Sequence, residues 1–322
     1  MPTLKRRILD ALPRANIHVR NLEPGTALLS RRDAYRVSRI GPTSWLVSRN
    51  RDPFAKALSR AIGKSARRPR RVVPFGPDSH LLVADDQDAE GEWHMHKAAH
   101  DYLAERHVAS LLRDYRVNCV FDVGANVGQY ARRLRKHGYT GRIVSFEPVS
   151  AIAEKLREAA ADDPDWWVYP CALGREERVD TINVVQGSMS SLLGPSEFGT
   201  RRYKRFRKTA AEEIAVRRLD AVMDEALKGI DDPRPYLKLD TQGYDLEAFA
   251  GAGARTADLV GLQSEVALMQ IYEGMPRMQE AITVYEDDGF EITGMFPVTR
   301  EQATGRVLEF DCVMVRADSL PE

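Results

Sequence analysis

The sequence predicts a three-layer α/β fold in which helices cover both faces of a mostly parallel sheet. From residue 118 onward, short apolar runs alternate with segments whose apolar residues recur at helical spacing. A strand, a glycine-containing turn and a helix open this part of the chain at residues 119–128. Strands that alternate with helices of this length pair in parallel, because each helix carries the chain back across the sheet.

The strands and helices can be assigned in order from these patterns. Helices are predicted where apolar residues recur three, four or seven positions apart, at about 93–113 and around Tyr130, Ile152 and Met278. No clear helix separates the last two apolar runs, so an antiparallel C-terminal strand is expected in a seven-stranded sheet. The runs predict strands at 119–123, 143–146, 166–169, 236–239, 259–265, 290–295 and 310–315.

The chain is predicted to have three parts: a basic N-terminal region of unassigned fold (1–90), a helical linker (91–117) and a Rossmann-like domain (118–322). Residues 1–71 contain 18 Lys and Arg against 4 Asp and Glu, a net charge of +14, and the remainder carries −14. This excess favours either a solvated extension or peripheral contact with an anionic surface such as a membrane. Few aromatic residues accompany the arginines, so no nucleic-acid partner is expected.

Composition also bounds the cellular setting. No run approaches the roughly 20 apolar residues that span a bilayer. The three cysteines, Cys119, Cys171 and Cys312, are widely spaced, which favours free thiols in a reducing compartment. A cytoplasmic location is therefore expected, with membrane association as an open alternative. No metal site is predicted, and the sequence leaves the oligomeric state open.

The strongest chemical signal is the turn Asp-Val-Gly-Ala-Asn-Val-Gly at residues 122–128. Glycines let the backbone bend sharply and let a ligand approach, and the following helix offers free N–H groups. Glu147 follows the second strand, where a carboxylate can accept hydrogen bonds from ribose hydroxyls. The turn and Glu147 together predict a nucleoside ligand.

The nature of this nucleoside depends on the turn. A dinucleotide fingerprint requires glycine where this chain has Asn126. Asp122, directly before the turn, suits the ammonium of a methionine moiety and would be unfavourable beside a pyrophosphate. These features favour S-adenosylmethionine over a nicotinamide cofactor, although a nicotinamide-dependent oxidoreductase remains the first alternative.

Seven motifs occur in order along the second part of the chain. They are Phe-Asp-Val-Gly-Ala-Asn-Val-Gly (121–128), Ser-Phe-Glu-Pro (145–148), Cys-Ala-Leu-Gly (171–174), Met-Ser-Ser-Leu (189–192), Val-Arg-Arg-Leu-Asp (216–220), Leu-Lys-Leu-Asp-Thr-Gln-Gly-Tyr-Asp (237–245) and Ser-Glu-Val (264–266). With these motifs the chain resembles the FkbM-type methyltransferases from about residue 121 to 315. The resemblance implies a class I (Rossmann-like) methyltransferase fold and O-methylation of a hydroxyl on a sugar, glycolipid or polyketide-type product. It also implies cofactor binding by Asp122, Gly124, Ala125, Asn126, Gly128 and Glu147, and adenine contact by Cys171 and Ala172.

The candidate catalytic residues are Asp240, Glu265 and Lys238. Ligands of open α/β sheets bind beyond the carboxyl ends of the strands, which is where Asp240 and Glu265 are predicted. Asp240 is expected to act as the base or to orient the acceptor, with Glu265 supporting it and Lys238 pairing with either carboxylate. The family usually has glutamate at the position of Gln242, and glutamine cannot act as a base, so a required base would be Asp240, Asp245 or Glu265. Two carboxylates could also hold Mg²⁺, but a metal is not predicted.

The acceptor site is expected to involve residues 188–208, which lie outside the regular strand–helix alternation. Ser190, Ser191 and Gln242 are candidates for hydrogen bonds to a polyhydroxylated small-molecule or glycolipid acceptor. A plain surface hairpin would explain the segment equally well. The second functional alternative is a non-catalytic nucleoside-binding protein on the same fold.

Overall fold

The computed structural model describes residues 17–23, 26–31, 35–41, 44–49, 70–74, 79–84, 89–301 and 303–321. It divides into two compact units, Met1–Tyr102 and Leu103–Glu322. Much of the basic N-terminal region, including Arg67 and Arg68, lies outside the described residues. In the part of the chain that is described, no helix has the length and apolar character needed to cross a membrane.

Among its described residues, the first unit has two antiparallel sheets, in a region for which the sequence predicted no fold. Strands β1 (Ile17–Glu23) and β2 (Thr26–Arg31) pair with each other. A second sheet has the strand order β3-β4-β6-β5. Its strands are β3 (Tyr35–Gly41), β4 (Ser44–Arg49), β5 (Arg70–Pro74) and β6 (Ser79–Ala84). Helix α1 (Ala89–Asp114) follows, and its C-terminal part belongs to the second unit.

The second unit contains the predicted alternation of strands and helices. Its helices are α2 (Gln129–Lys136), α3 (Ser150–Ala160), α4 (Glu197–Arg202), α5 (Asp220–Leu227), α6 (Asp245–Ala250) and α7 (Met278–Asp287). Its strands are β7 (Cys119–Val123), β8 (Arg142–Phe146), β9 (Trp166–Tyr169), β10 (Ala172–Leu173), β11 (Arg178–Val185), β12 (Thr209–Arg217), β13 (Pro235–Leu239), β14 (Gly261–Ala267), β15 (Glu291–Arg300) and β16 (Val307–Val315).

The large sheet of this unit confirms the predicted fold class. Among the described residues it has seven strands in the order β15-β16-β14-β13-β7-β8-β9. Strands β7, β8, β9, β13 and β14 pair in parallel, whereas β16 runs antiparallel to both of its neighbours. The predicted antiparallel C-terminal strand is therefore correct. Because β7 is the middle of the parallel part, the turn that follows it lies at the centre of the sheet's carboxyl edge.

The sheet separates two apolar cores, which explains the uninterrupted apolar run of β7. Cys119, Phe121 and Val123 face one core, together with apolar residues of α5 and α7. Val120 faces the other core, which α2 closes with Tyr130 and its neighbours. A parallel strand that is buried on both faces requires apolar residues on both.

The segment predicted as an insertion connects two strands of a smaller sheet. This sheet has the order β10-β12-β11, and β11 and β12 are antiparallel. Residues 186–208 form the connection between them and include α4 and a 3₁₀ helix, Lys204–Arg207. The connection therefore lies at the end of the small sheet where β11 ends and β12 begins.

Candidate functional site

The turn after β7 depends on glycine at its first position. Gly124 has a φ of 75°, and a Cβ at this position would lie 1.9 Å from the carbonyl oxygen of Asp240. Only glycine lets the turn after β7 approach the backbone that follows β13 so closely. The backbone N–H groups of Gly124 and Ala125 donate to the carbonyl oxygen of Phe146, which ties the turn to the end of β8.

Glu147 lies beside this turn, directly after β8. Its Oε2 accepts a hydrogen bond from the backbone N–H of Asn126 (2.9 Å), and its Oε1 accepts one from Val149 (3.0 Å). Burial raises the pKa of Glu147 to about 7, although these two hydrogen bonds favour the ionised form. Each carboxylate oxygen has two acceptor positions, so Glu147 can still accept hydrogen bonds from a ligand.

A cavity opens at the carboxyl edge of the sheet, next to Glu147. One wall is apolar and includes Val149, Ile152, Ala172 and Ile182, which suits a flat aromatic group such as a nucleobase. The predicted site residues that line the cavity are Gly124, Asn126, Glu147, Cys171, Ala172, Ser190, Ser191, Asp240 and Gln242.

Asp122, which the sequence assigned to the ligand's ammonium, is not part of the cavity lining. It is fully buried, and its Oδ1 lies 3.2 Å from Nζ of Lys238. The Ser145 hydroxyl donates to its other oxygen. Asp122 and Lys238 are register partners on the adjacent strands β7 and β13, so their side chains leave the same face of the sheet. Ala125, Gly128, Lys238 and Glu265 also lie outside the lining.

Two polar side chains that the sequence did not single out line the cavity. Gln129 Oε1 is buried and has no hydrogen-bond partner among the described residues, whereas the Thr241 side chain lies within hydrogen-bond reach of Asp245. Buried polar groups are normally satisfied, so Gln129 Oε1 points to a ligand that would pair with it. Their positions in the sequence could have indicated a role in the site, because Gln129 begins the helix after the glycine turn and Thr241 directly follows Asp240 at the end of a strand.

Asp240 and Glu265 are brought together by Gln242. The Gln242 amide Nε2 donates to Asp240 Oδ1 (3.0 Å) and to Glu265 Oε2 (3.1 Å). The Tyr272 hydroxyl lies 3.0 Å from Gln242 Oε1 and fixes the amide orientation as a donor to the carboxylates. On the other side, Lys238 Nζ lies 3.4 Å from Asp240 Oδ2. Asp240 is thus held from both sides, while its side chain keeps an exposed fraction of 35%.

The two carboxylates have opposite protonation tendencies. Burial opposes ionisation of Asp240, but the Lys238 ammonium and the hydrogen bond from Gln242 hold its pKa below the usual value. Burial and the neighbouring charges of Glu309 and Asp240 raise the pKa of Glu265 well above its usual value. The surroundings therefore favour the ionised form of Asp240 and the neutral form of Glu265. Such a split is typical of acid–base pairs in active sites.

The two serines of the insertion are engaged with the chain itself. Ser190 Oγ accepts a hydrogen bond from the Val185 N–H (3.0 Å). Ser191 Oγ donates to the backbone oxygen of Gln242 (2.9 Å) and accepts from the N–H of Leu193 (3.0 Å). Ser191 therefore fixes the insertion to the turn that carries Gln242.

One family model and several solved structures are similar to this chain. The Methyltransferase FkbM domain model matches residues 122–291. A sequence comparison with curated proteins gives no match. Among solved structures, the magnesium protoporphyrin IX methyltransferase of Synechocystis PCC 6803 with bound S-adenosylmethionine is similar, with a TM-score of 0.38, 12% identity, and coverage of 72% of this chain and 86% of that one. Fibrillarin from Aeropyrum pernix, also with S-adenosylmethionine, gives a TM-score of 0.37, 12% identity, and coverage of 93% and 100%.

Proposed function

The chain belongs to the FkbM methyltransferase family and is an S-adenosylmethionine-dependent methyltransferase, and from this premise we propose that it methylates a hydroxyl oxygen. The proposed acceptor is a sugar, glycolipid or polyketide-type small molecule. The observation that carries the proposal is the ionised Asp240 at the cavity wall, held by Lys238 and Gln242.

The residues of the cavity fit the cofactor. Glu147 would accept hydrogen bonds from the ribose hydroxyls, and the apolar wall that contains Ile152 and Ala172 would hold the adenine. The unpaired oxygen of Gln129 would bind a polar group of the methionine moiety. The bound cofactor supplies a methyl group that is activated by its positively charged sulfur.

Asp240 would act on the acceptor hydroxyl. An alcohol is a weak nucleophile, and a positioned base that removes its proton accelerates such a reaction by about 10²–10⁴-fold. The ionised Asp240 can accept this proton, while Lys238 compensates its charge and Gln242 fixes its direction. The remaining acceleration would come from holding the acceptor oxygen in line with the methyl group.

The test replaces Asp240 by asparagine, which keeps the shape of the side chain but cannot accept the proton. Asp240→Asn should lower methyl transfer by about 10²–10⁴-fold, while calorimetry shows unchanged S-adenosylmethionine affinity. Transfer is measured with methyl-labelled cofactor on a panel of glycosides and glycolipids. Asp245→Asn is the matched control, since Asp245 is a buried acid that does not line the cavity. Full activity of Asp240→Asn would remove Asp240 from the mechanism.

A further inference from the structure

Residues 201–208, Arg-Arg-Tyr-Lys-Arg-Phe-Arg-Lys, form a dense basic surface within the connection between β11 and β12. Six of these eight residues are Lys or Arg, and all six are exposed. We call this stretch the 201–208 segment. So many like charges in one place repel each other, and an anion bound there would relieve this repulsion.

Most of these charges are not neutralised by the protein. Arg201 forms an exposed pair with Glu197 (3.5 Å), and Arg202 stacks on the ring of Tyr203. The cations of Lys204, Arg205, Arg207 and Lys208 form no ion pair within the described part of the chain. Four positive charges are therefore available to a ligand.

Packing fixes the segment next to the proposed catalytic residues. Phe206 is buried, and its ring packs edge-on against Tyr272 at a centroid distance of 5.5 Å. Tyr272 is the residue that orients Gln242. In α4, just before the segment, Gly199 lies so close to the backbone of Ile271 that a Cβ would meet its carbonyl oxygen at 2.2 Å. The segment thus has a defined position and is not a loosely attached loop.

The segment also reaches the edge of the cavity. Gly187 lines the cavity, and a Cβ on Gly187 would lie 3.1 Å from Nη1 of Arg205. The guanidinium group of Arg205 therefore lies next to a residue of the cavity wall. A ligand that projects from the cavity past Gly187 would come within reach of Arg205.

The inner side of the segment is close to acidic residues. Burial, and next the acids Glu309 and Glu265, raise the pKa of Tyr203, which places Tyr203 within electrostatic reach of both. Asp240 at the cavity wall is paired with Lys238, so no cation is left over for an anion there. An anionic group is therefore attracted to the exposed cations of the segment and not to the position of the reacting hydroxyl.

We propose that the 201–208 segment binds a phosphate group of the acceptor, on the part of the acceptor that stays outside the cavity. The acceptor would then enter with its neutral hydroxyl-bearing end first. Lys and Arg are the side chains that bind phosphate by charge-assisted hydrogen bonds. This inference rests on the proposed function, and it narrows the acceptor to phosphate-bearing molecules such as sugar phosphates or phosphoglycolipids.

The test measures the binding of inorganic pyrophosphate to the full chain saturated with S-adenosylhomocysteine, by calorimetry at low ionic strength. The test variant is Lys204→Glu/Lys208→Glu. The matched control is Lys155→Glu/Lys228→Glu, which makes the same charge change at two exposed lysines on α3 and at the end of α5. Arg205→Gln examines the cation at the cavity edge.

Pyrophosphate should bind the wild type, and both the Lys204→Glu/Lys208→Glu variant and Arg205→Gln should weaken this binding by about tenfold or more. The control should stay within about twofold of the wild type, since only net charge changes there. An equal loss in the control, or no binding to the wild type, would overturn the proposal. Binding of the wild type to phosphatidylglycerol vesicles without binding of pyrophosphate would assign the segment to a membrane surface and also overturn it.

The affinity for S-adenosylhomocysteine separates this result from the proposed function. If the wild type binds the nucleoside but not pyrophosphate, the phosphate site is wrong and the methyltransferase assignment stands. If S-adenosylhomocysteine itself does not bind, the result contradicts the proposed function, whatever the result with pyrophosphate.

Discussion

The titration of the Glu147 carboxyl group should make the affinity for the cofactor depend on pH. With a pKa of about 7 in the ligand-free protein, Glu147 is mostly neutral at pH 6 and mostly ionised at pH 8. A neutral carboxyl group loses acceptor capacity, because its protonated oxygen becomes a donor. Ribose hydroxyls donate to the ionised form, so affinity should rise as the pH rises through 7.

The magnitude follows from the ionised fraction, which is about one tenth at pH 6 and about nine tenths at pH 8 for this pKa. Because apparent affinity scales with the fraction of binding-competent protein, affinity should be about tenfold weaker at pH 6 than at pH 8. Calorimetry with S-adenosylhomocysteine at constant ionic strength measures this ratio. Glu147→Gln should bind more weakly at pH 8 and lose most of the pH dependence.

Asp245→Asn provides the control for this experiment. Burial, and next the charge of Asp240, raise the pKa of Asp245 to about 7 as well, but Asp245 does not line the cavity. This variant should therefore keep the tenfold pH dependence of the wild type. A flat affinity in the wild type, or a pH dependence that disappears in Asp245→Asn and persists in Glu147→Gln, would refute the role of Glu147.

Two further predictions concern the residues around Asp240. Lys238→Met leaves Asp122 buried without a cation, and should lower the free energy of unfolding in urea by roughly 3–5 kcal/mol. The double variant Lys238→Met/Asp122→Leu should recover most of this loss. Strictly additive losses from the two substitutions would contradict the buried ion pair. Gln242→Glu places a third carboxylate between Asp240 and Glu265, which should raise the pKa of Asp240 and move the acid limb of the pH–rate profile upward by about one unit. An unchanged acid limb would show that Gln242 does not act through Asp240.

Several sequence-based expectations remain predictions. These are the boundaries of the three predicted parts (1–90, 91–117 and 118–322), the cytoplasmic location and a peripheral membrane contact of the basic N-terminal region. Vesicle binding of the full chain measures the last of these, and a salt-insensitive result would count against an electrostatic contact.

The sequence by itself determined the fold class, the glycine turn and the position of Glu147 beside it. These features depend on patterns that are local in the chain. Apolar periodicity distinguishes strands from helices, and a glycine-containing turn between a strand and a helix can be recognised from a few adjacent residues. The carboxyl end of a parallel strand then gives the side of the sheet on which a ligand binds.

The tertiary structure alone decided which side chains meet. The register of β7 and β13 places Asp122 opposite Lys238, so Asp122 forms a buried ion pair and does not face the cavity. The amide of Gln242 joins Asp240 to Glu265, and Glu265 lies 23 positions after Gln242 in the chain. Contacts of this kind depend on strand register and packing between distant segments, and no short stretch of sequence encodes them.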